Sequence, residues 1–226
     1  MLSSCKHPNV ASLLGFCDED SEMILVFECS FKETLYDYLG STRKTFNLTW
    51  EQRIRICLDI AHGLRYLQNM EGKSSVIYHG IISANVFLDD KWTAKMASIR
   101  VLKTTTSYRQ PGQRLVVDHI YLLGQVLFEI LTGRSYKVDN LASWAQDCRM
   151  MEETHECSYN LIKTGLNQDS LNVSFKIVYQ CLEEISSKRP ALEAVIKSLK
   201  SALHFQVSKS LKLKIVLFVP DILSYP

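Results

Sequence analysis

The run Thr49-Trp50-Glu51-Gln52-Arg53-Ile54-Arg55-Ile56-Cys57-Leu58-Asp59-Ile60-Ala61-His62-Gly63-Leu64-Arg65-Tyr66-Leu67 orders the rest of the chain around itself. Within it Trp50, Ile54, Cys57, Ala61, Leu64 and Leu67 recur at spacings of four and three. That spacing is one continuous apolar stripe, so the segment is a helix with one face in a core. Thr49 precedes the stripe and is its N-cap, since a hydroxyl there accepts from a helix amide that has no carbonyl partner. Gly63 weakens the helix slightly and lets a neighbour come close.

Working toward the N-terminus, Leu13-Leu14-Gly15-Phe16 and Met23-Ile24-Leu25-Val26-Phe27-Glu28 flank the acidic turn Asp18-Glu19-Asp20 and read as two antiparallel strands. Leu35, Tyr38 and Leu39 make a short helical face. Toward the C-terminus, Val76-Ile77 and Val86-Phe87-Leu88 are strand-like, with Lys95-Met96-Ala97 a candidate partner for the second. A hydroxyl-rich loop follows at Thr104-Thr105-Thr106-Ser107. Ile120 to Thr132 is apolar nearly all round, which predicts a buried helix stopped by Gly133. Leu171 to Glu184 and Ala191 to Phe205 are amphipathic helices, with Pro190 suited to the first turn of the second. The tail from Val207 alternates Leu211, Lys212, Leu213, Lys214 and reads as an edge strand or a loosely attached extension. The order, two strands and then mainly helices, is that of an α+β fold.

Lys plus Arg total 26 against 24 Asp plus Glu, a net charge of +2, so no electrostatic case exists for nucleic acid or an anionic membrane as the main partner. The seven cysteines form no CxxC pair and read as small buried residues of a reducing compartment rather than a disulfide frame or zinc site. Asn47 and Asn172 open sequons, read as chance matches because no signal peptide begins the chain. The longest apolar run near the C-terminus, Ile215 to Val219, is far too short to span a bilayer.

Several stretches, in this order, resemble a protein kinase domain of the plant receptor-like type. Cys5-Lys6-His7-Pro8-Asn9-Val10-Ala11-Ser12-Leu13-Leu14-Gly15-Phe16-Cys17 is similar to the family's approach to its fourth strand, and Leu25-Val26-Phe27-Glu28-Cys29 to the fifth strand and adenine-binding hinge. Ile60-Ala61-His62-Gly63-Leu64-Arg65-Tyr66-Leu67 resembles the helix before the catalytic loop, and Ser83-Ala84-Asn85-Val86-Phe87-Leu88-Asp89 the end of that loop. Leu127-Phe128-Glu129-Ile130-Leu131-Thr132-Gly133-Arg134 and Lys188-Arg189-Pro190 match two later anchors. The resemblance implies a kinase-like fold: residues 1–29 a remnant of the small lobe, 30–205 the helical C-lobe, and 206–226 a divergent tail.

The same alignment implies that the chemistry is lost. Phosphoryl transfer in the family needs a Gly-rich loop, a Lys held by a Glu, a catalytic Asp, and an Asn and a second Asp on magnesium. The chain begins where the family's first large helix is ending, so the Gly-rich loop, the Lys and its Glu have no counterpart in it. Gly80 stands at the catalytic Asp and cannot accept a proton. Ile82 replaces a phosphate-stabilising Lys, and Ser98-Ile99-Arg100 replaces the metal-binding Asp-Phe-Gly. Asn85 survives as a single magnesium ligand, insufficient for an ion that demands octahedral oxygen coordination; it is read as a loop cap. Glu28 and Cys29 are the hinge remnant. Gln110-Pro111-Gly112 lacks the Glu that pairs with Arg189 in the family, and either Asp118 or His119 takes the buried Asp position of the following helix. Asp89-Asp90 is read as an exposed turn, and His79 and His119 as packing residues.

The expectation is a catalytically inactive kinase homologue that binds a protein partner such as another kinase or a receptor. ATP and magnesium are implied by the resemblance alone, and no cofactor is expected. Nucleic acid is not a partner, no segment spans a membrane, and the location is cytoplasmic, with a partner as the route to the plasma membrane. The alternative is a piece of an active receptor-like Ser/Thr kinase whose small lobe lies outside this sequence.

Overall fold

A computed structural model of the chain describes residues 6–19, 22–28, 33–40, 48–70, 76–78, 81–97, 99–101, 118–133 and 166–217. Strands β1 (Leu13–Glu19), β2 (Glu22–Phe27) and β3 (Glu33–Thr34) lead into helices α1 (Leu35–Gly40) and α2 (Trp50–Met70). Four short strands follow: β4 (Val76–Tyr78), β5 (Val86–Leu88), β6 (Ala94–Met96) and β7 (Ile99–Val101). Helices α3 (His119–Thr132), α4 (Gln168–Cys181) and α5 (Leu192–Leu217) complete the described elements. β1 and β2 form an antiparallel pair, β3-β5-β6 a three-stranded sheet, and β4 and β7 a second antiparallel pair.

The expected stripe is what α2 buries: Trp50, Ile54, Cys57, Ala61, Leu64 and Leu67 are all inside. The helix opens with a reciprocal cap. The Thr49 hydroxyl accepts from the Gln52 amide at 3.2 Å, and the Gln52 side-chain oxygen accepts from the Thr49 amide at 2.8 Å. Such a cap stabilises a helix start by about 1 kcal/mol. Arg53, which the apolar pattern passes over, is 1% exposed. Its Nε donates to the Leu48 carbonyl at 3.3 Å and a terminal nitrogen donates to the Ile130 carbonyl, so its charge is spent holding α2 to α3.

α3 is buried from Leu123 to Thr132 except for the half-buried Gln125, as its nearly continuous apolar sequence predicts, and ends where Gly133 turns left-handed at φ 71° with its amide on the Glu129 carbonyl. α4 approaches α3 so closely that a β-carbon on Gly124 would sit 2.7 Å from that of Cys181. α4 is tied to α2 by the Trp50 indole, which donates to the Ser170 hydroxyl at 2.9 Å. It is tied to α5 by the Asn167 amide, which donates to Gln206 at 3.0 Å.

Three sequence expectations are corrected. The tail is not an edge strand as far as Leu217, because α5 continues through it. Leu and Lys are strong helix formers, and extending an existing helix avoids the cost of nucleating one. Pro190 lies outside α5, whose start is set by the Ala191 carbonyl accepting from Ala194 and Val195. Cys17 is exposed on β1, whereas Cys57 and Cys181 are buried as expected. The remaining cysteines and the hydroxyl-rich loop at 104–107 lie outside the described residues. No helix among the described residues is long and apolar enough to cross a membrane.

Gly63 is the point at which α2 meets the segment entering β1. A β-carbon there would lie 2.7 Å from the Asn9 carbonyl oxygen and 2.8 Å from the Met96 methyl. The methyl can swing away, but the backbone oxygen cannot. Gly63→Ala should therefore destabilise the chain by about 1–3 kcal/mol, despite the roughly 1 kcal/mol that alanine gains over glycine within a helix. Urea unfolding checks the sign; a more stable variant would show that the approach is not tight.

Candidate functional site

The segment between β4 and β6 carries the retained Asn85. Ile82 is extended at φ −136°, ψ 150° and precedes a single 3-10 turn, Ser83–Asn85. The Asn85 amide donates to the Ile82 carbonyl at 3.0 Å, closing that turn. The Asn85 carbonyl accepts from the Ala97 amide at 2.9 Å, so the residue just before Ser98 is fastened to Asn85. Ile82 is half exposed and contributes hydrocarbon to this surface.

The β5–β6 hairpin is held by a carboxylate acting as a turn residue. One oxygen of Asp89 accepts from the Lys91 and Thr93 amides, each at 2.8 Å. Trp92 adopts a positive φ of 64°, uncommon for a bulky side chain. Its ring packs edge-on against Tyr38, with centroids 5.2 Å apart, which holds the turn in place.

Behind this hairpin, His7-Pro8-Asn9 docks on α2. The His7 ring stacks on Tyr66 at 4.8 Å. The Asn9 side-chain amide donates to the Ala94 carbonyl at 3.1 Å, and the Ala94 amide donates to Asp59 at 3.0 Å. Burial pushes the Asp59 carboxyl above its usual range, against the opposing pull of the Ala94 amide and the Asn9 side chain. The Met96 amide donates to the Asn9 carbonyl at 3.0 Å, and the Ala11 amide to the Met96 carbonyl at 2.9 Å. β6 thus reaches residue 97 with its backbone clamped on both edges.

At the start of α3 the choice between Asp118 and His119 resolves to Asp118 as the helix cap. One oxygen accepts from the Ile120 and Tyr121 amides, each at 3.1 Å. The other accepts from the Ser186 hydroxyl at 2.7 Å and from the Arg189 guanidinium. Arg189 is not left without a partner, as loss of the family's Glu would suggest. It also donates to the Glu183 and Glu184 carbonyls at 2.7 and 3.1 Å, and lies 4.7 Å from the centre of the Tyr121 ring. Burial pushes the Asp118 carboxyl up, but Ser186, the Tyr121 amide and Arg189 together hold it below its usual range. Two chain segments, the start of α3 and residues 186–189, meet on this one carboxylate.

Of the hinge remnant, Glu28 is exposed and its amide donates to the Ser12 carbonyl at 2.8 Å, while Phe27 is half-buried against the core. Cys29, His79, Gly80, Ser98 and the Gln110-Pro111-Gly112 stretch lie outside the described residues. Among the described residues, no group of three or more His, Cys, Asp or Glu side chains could hold a metal ion. Sequence reading missed the buried Arg53 and the Asp118–Arg189 pair. Arg53 follows Trp50 at the same three-residue step as the stripe, and that was the signal for its burial.

A family model described as protein tyrosine and serine/threonine kinase matches residues 1–117. The receptor-like protein kinase HERK 1 of Arabidopsis thaliana is 30% identical over 233 residues, covering 91% of this chain and 28% of that protein. The receptor-like protein kinases ANXUR2 and FERONIA of the same organism are 28% and 27% identical, over 91% and 92% of this chain and 27% and 26% of their own lengths. The chain therefore spans only about a quarter of the length of the relatives it matches.

The Asp118–Arg189 pair sets a pH dependence of known sign. The folded carboxyl lies below the ordinary 3.8, so its contribution is complete above that value and is lost as pH falls through the folded one. Asp118→Asn keeps an acceptor for the helix amides but removes the charge. Urea melts should show a loss of about 1–3 kcal/mol at pH 7, shrinking toward pH 3. A gap that stays constant with pH would contradict the ion pair.

Proposed function

The chain belongs to the protein tyrosine and serine/threonine kinase family, and from that premise we propose that it is a catalytically silent member acting by binding a signalling protein. The observation that carries this reading is the set of side chains around the one retained catalytic-loop residue. Asn85 offers a single amide oxygen, Ile82 beside it offers hydrocarbon, and the positions that need carboxylates hold Gly80 and Ser98. These residues do not fit magnesium. A hard divalent cation is held by carboxylates together with phosphate oxygens, and Arg100 adds positive charge two residues after Ser98. Catalysis of phosphoryl transfer is mainly charge stabilisation and positioning, so loss of these groups removes most of it.

Exposed apolar residues support the binding half of the proposal. Leu14, Phe16, Ile24 and Val26 on β1 and β2 are each about half exposed or more. Phe16 pairs across the strands with Leu25, whereas Ile24 and Val26 pair with Cys17 and Gly15, so both faces of the hairpin carry apolar surface. Large apolar side chains exposed together on a strand pair are the make-up of a contact surface. We further propose that a partner brings the chain to the cytoplasmic side of the plasma membrane, a reading that the relatives' naming as receptor-like kinases supports.

The same hairpin favours a second reading, in which the chain is part of a receptor-like Ser/Thr kinase whose further strands cover β1 and β2. The quarter-length match to the relatives supports it. A transcript encoding an upstream Gly-rich loop and its Lys would establish that architecture, and the substitutions at Gly80 and Ser98 would still oppose activity.

Titration calorimetry tests the silent-site reading. The chain should give no saturable heat with Mg-ATP up to millimolar concentration, and neither should an Asn85→Ala variant. Micromolar Mg-ATP binding that the Asn85 substitution abolishes would sink the proposal.

A further inference from the structure

A cleft of about 480 Å³ opens between α2 and α5, away from the loop that carries Asn85. Arg65 of α2 and Lys197, Lys200 and His204 of α5 line it. The one carboxylate among its described lining residues, Glu193, lies 3.4 Å from Arg65 and is exposed. Lys197 and Lys200 make no ion pair with another described residue. Ile196 is buried in the floor, whereas Phe205 stands at the margin with 38% of its surface open.

The charge balance of this cleft is out of proportion to that of the chain. Among its described lining residues three permanent cations face one carboxylate, an excess of two, and the whole chain of 226 residues carries only +2. The positive field is felt by a neighbour: burial first, and then Arg65 and Lys200, hold His62 below its usual range. A surface that gathers like charges works against its own fold, and an anionic ligand relieves that repulsion.

We propose that the α2–α5 cleft docks an acidic segment of a partner protein, with its carboxylates on Arg65, Lys197 and Lys200 and an apolar side chain against Phe205. This deepens the binding role proposed above and rests on it. The shape selects a peptide over a single small anion. Lys197 and His204 are seven helical steps apart, about 10 Å at 1.5 Å per residue, and a ladder of that length matches several carboxylates in series. Three cations beside an apolar margin are too few and too mixed for a nucleic-acid track, which neutralises many phosphates at once. An aromatic side chain beside complementary charge is the usual make-up of an interface anchor, with the charges setting specificity and encounter rate.

The probe is a fluorescein-labelled ten-residue peptide with four glutamates around a central leucine, read by anisotropy against the full chain. Binding should weaken at least about tenfold in the double variant Lys197→Glu, Lys200→Glu, and it should fall steeply with added salt. The same variant should gain affinity for a peptide with lysines in place of the glutamates. Phe205→Ala should weaken the leucine peptide and leave a leucine-free peptide unchanged. Thermal melts of each variant, matched to the parent, separate lost docking from lost folding. The proposal is overturned if the double variant binds the acidic peptide as the parent does, or if heparin and the peptide bind with no dependence on Phe205. It is likewise overturned if the cleft is occupied by a second copy of the chain, seen as a dimer that the double variant abolishes. Phosphoryl transfer by the parent chain would defeat the silent-kinase reading and leave these binding results standing, so the two failures are distinct.

Discussion

The close packing around helix α2 is the constraint on which the other elements depend. Its stripe from Trp50 to Leu67 is buried, and each neighbour meets it at a different point. Asn9 and Met96 press on Gly63, the α3 carbonyl of Ile130 takes Arg53, and Ser170 of α4 takes the Trp50 indole. Because hydrogen bonds fix two of these meetings, α2 cannot rotate or slide without leaving a buried donor or acceptor unsatisfied, which is costly in a low-dielectric interior. The apolar stripe supplies the driving force, and the polar contacts select one arrangement of it.

That arrangement explains how a catalytic-loop framework persists where its chemistry is proposed to be gone. Asn85 is fastened to Ala97, Ala97 follows β6, and β6 is clamped by Asn9, which itself rests on α2. Asp89 and Trp92 hold the turn between β5 and β6. All of these are backbone-directed roles. They keep the loop in shape whether or not a carboxylate stands at residues 80 and 98. Asp118 belongs to the same class of residue: it caps α3 and gathers Ser186 and Arg189.

The parts of this fold that could be read from sequence are those whose signal is local. The periodic stripe of α2 and the nearly continuous apolar run of α3 emerge as helices, and the strands around the acidic turn pair antiparallel as expected. The tail failed because its Leu-Lys alternation has a strand's period, while the helix before it already made continuation inexpensive. Asp118 and His119 could not be separated because a one-residue shift leaves the pattern of α3 unchanged; only the cap geometry distinguishes them. Arg53 was hidden by its charge, since an apolar pattern skips the one cation on the stripe's own face. The α2–α5 cleft joins Arg65 to residues more than a hundred positions away, and no local pattern carries such a pairing.

The central proposal is that this kinase-family chain, with Gly80, Ile82 and Ser98 where the sequence resemblance expects catalytic residues, transfers no phosphate. Phosphoryl transfer from labelled ATP, measured for the longest natural translation product that contains this chain, tests it most directly. The account predicts label incorporation, into the protein itself or a generic protein substrate, no higher than in the enzyme-free control. Incorporation well above that control, and lost in an Asn85→Ala variant, would contradict it.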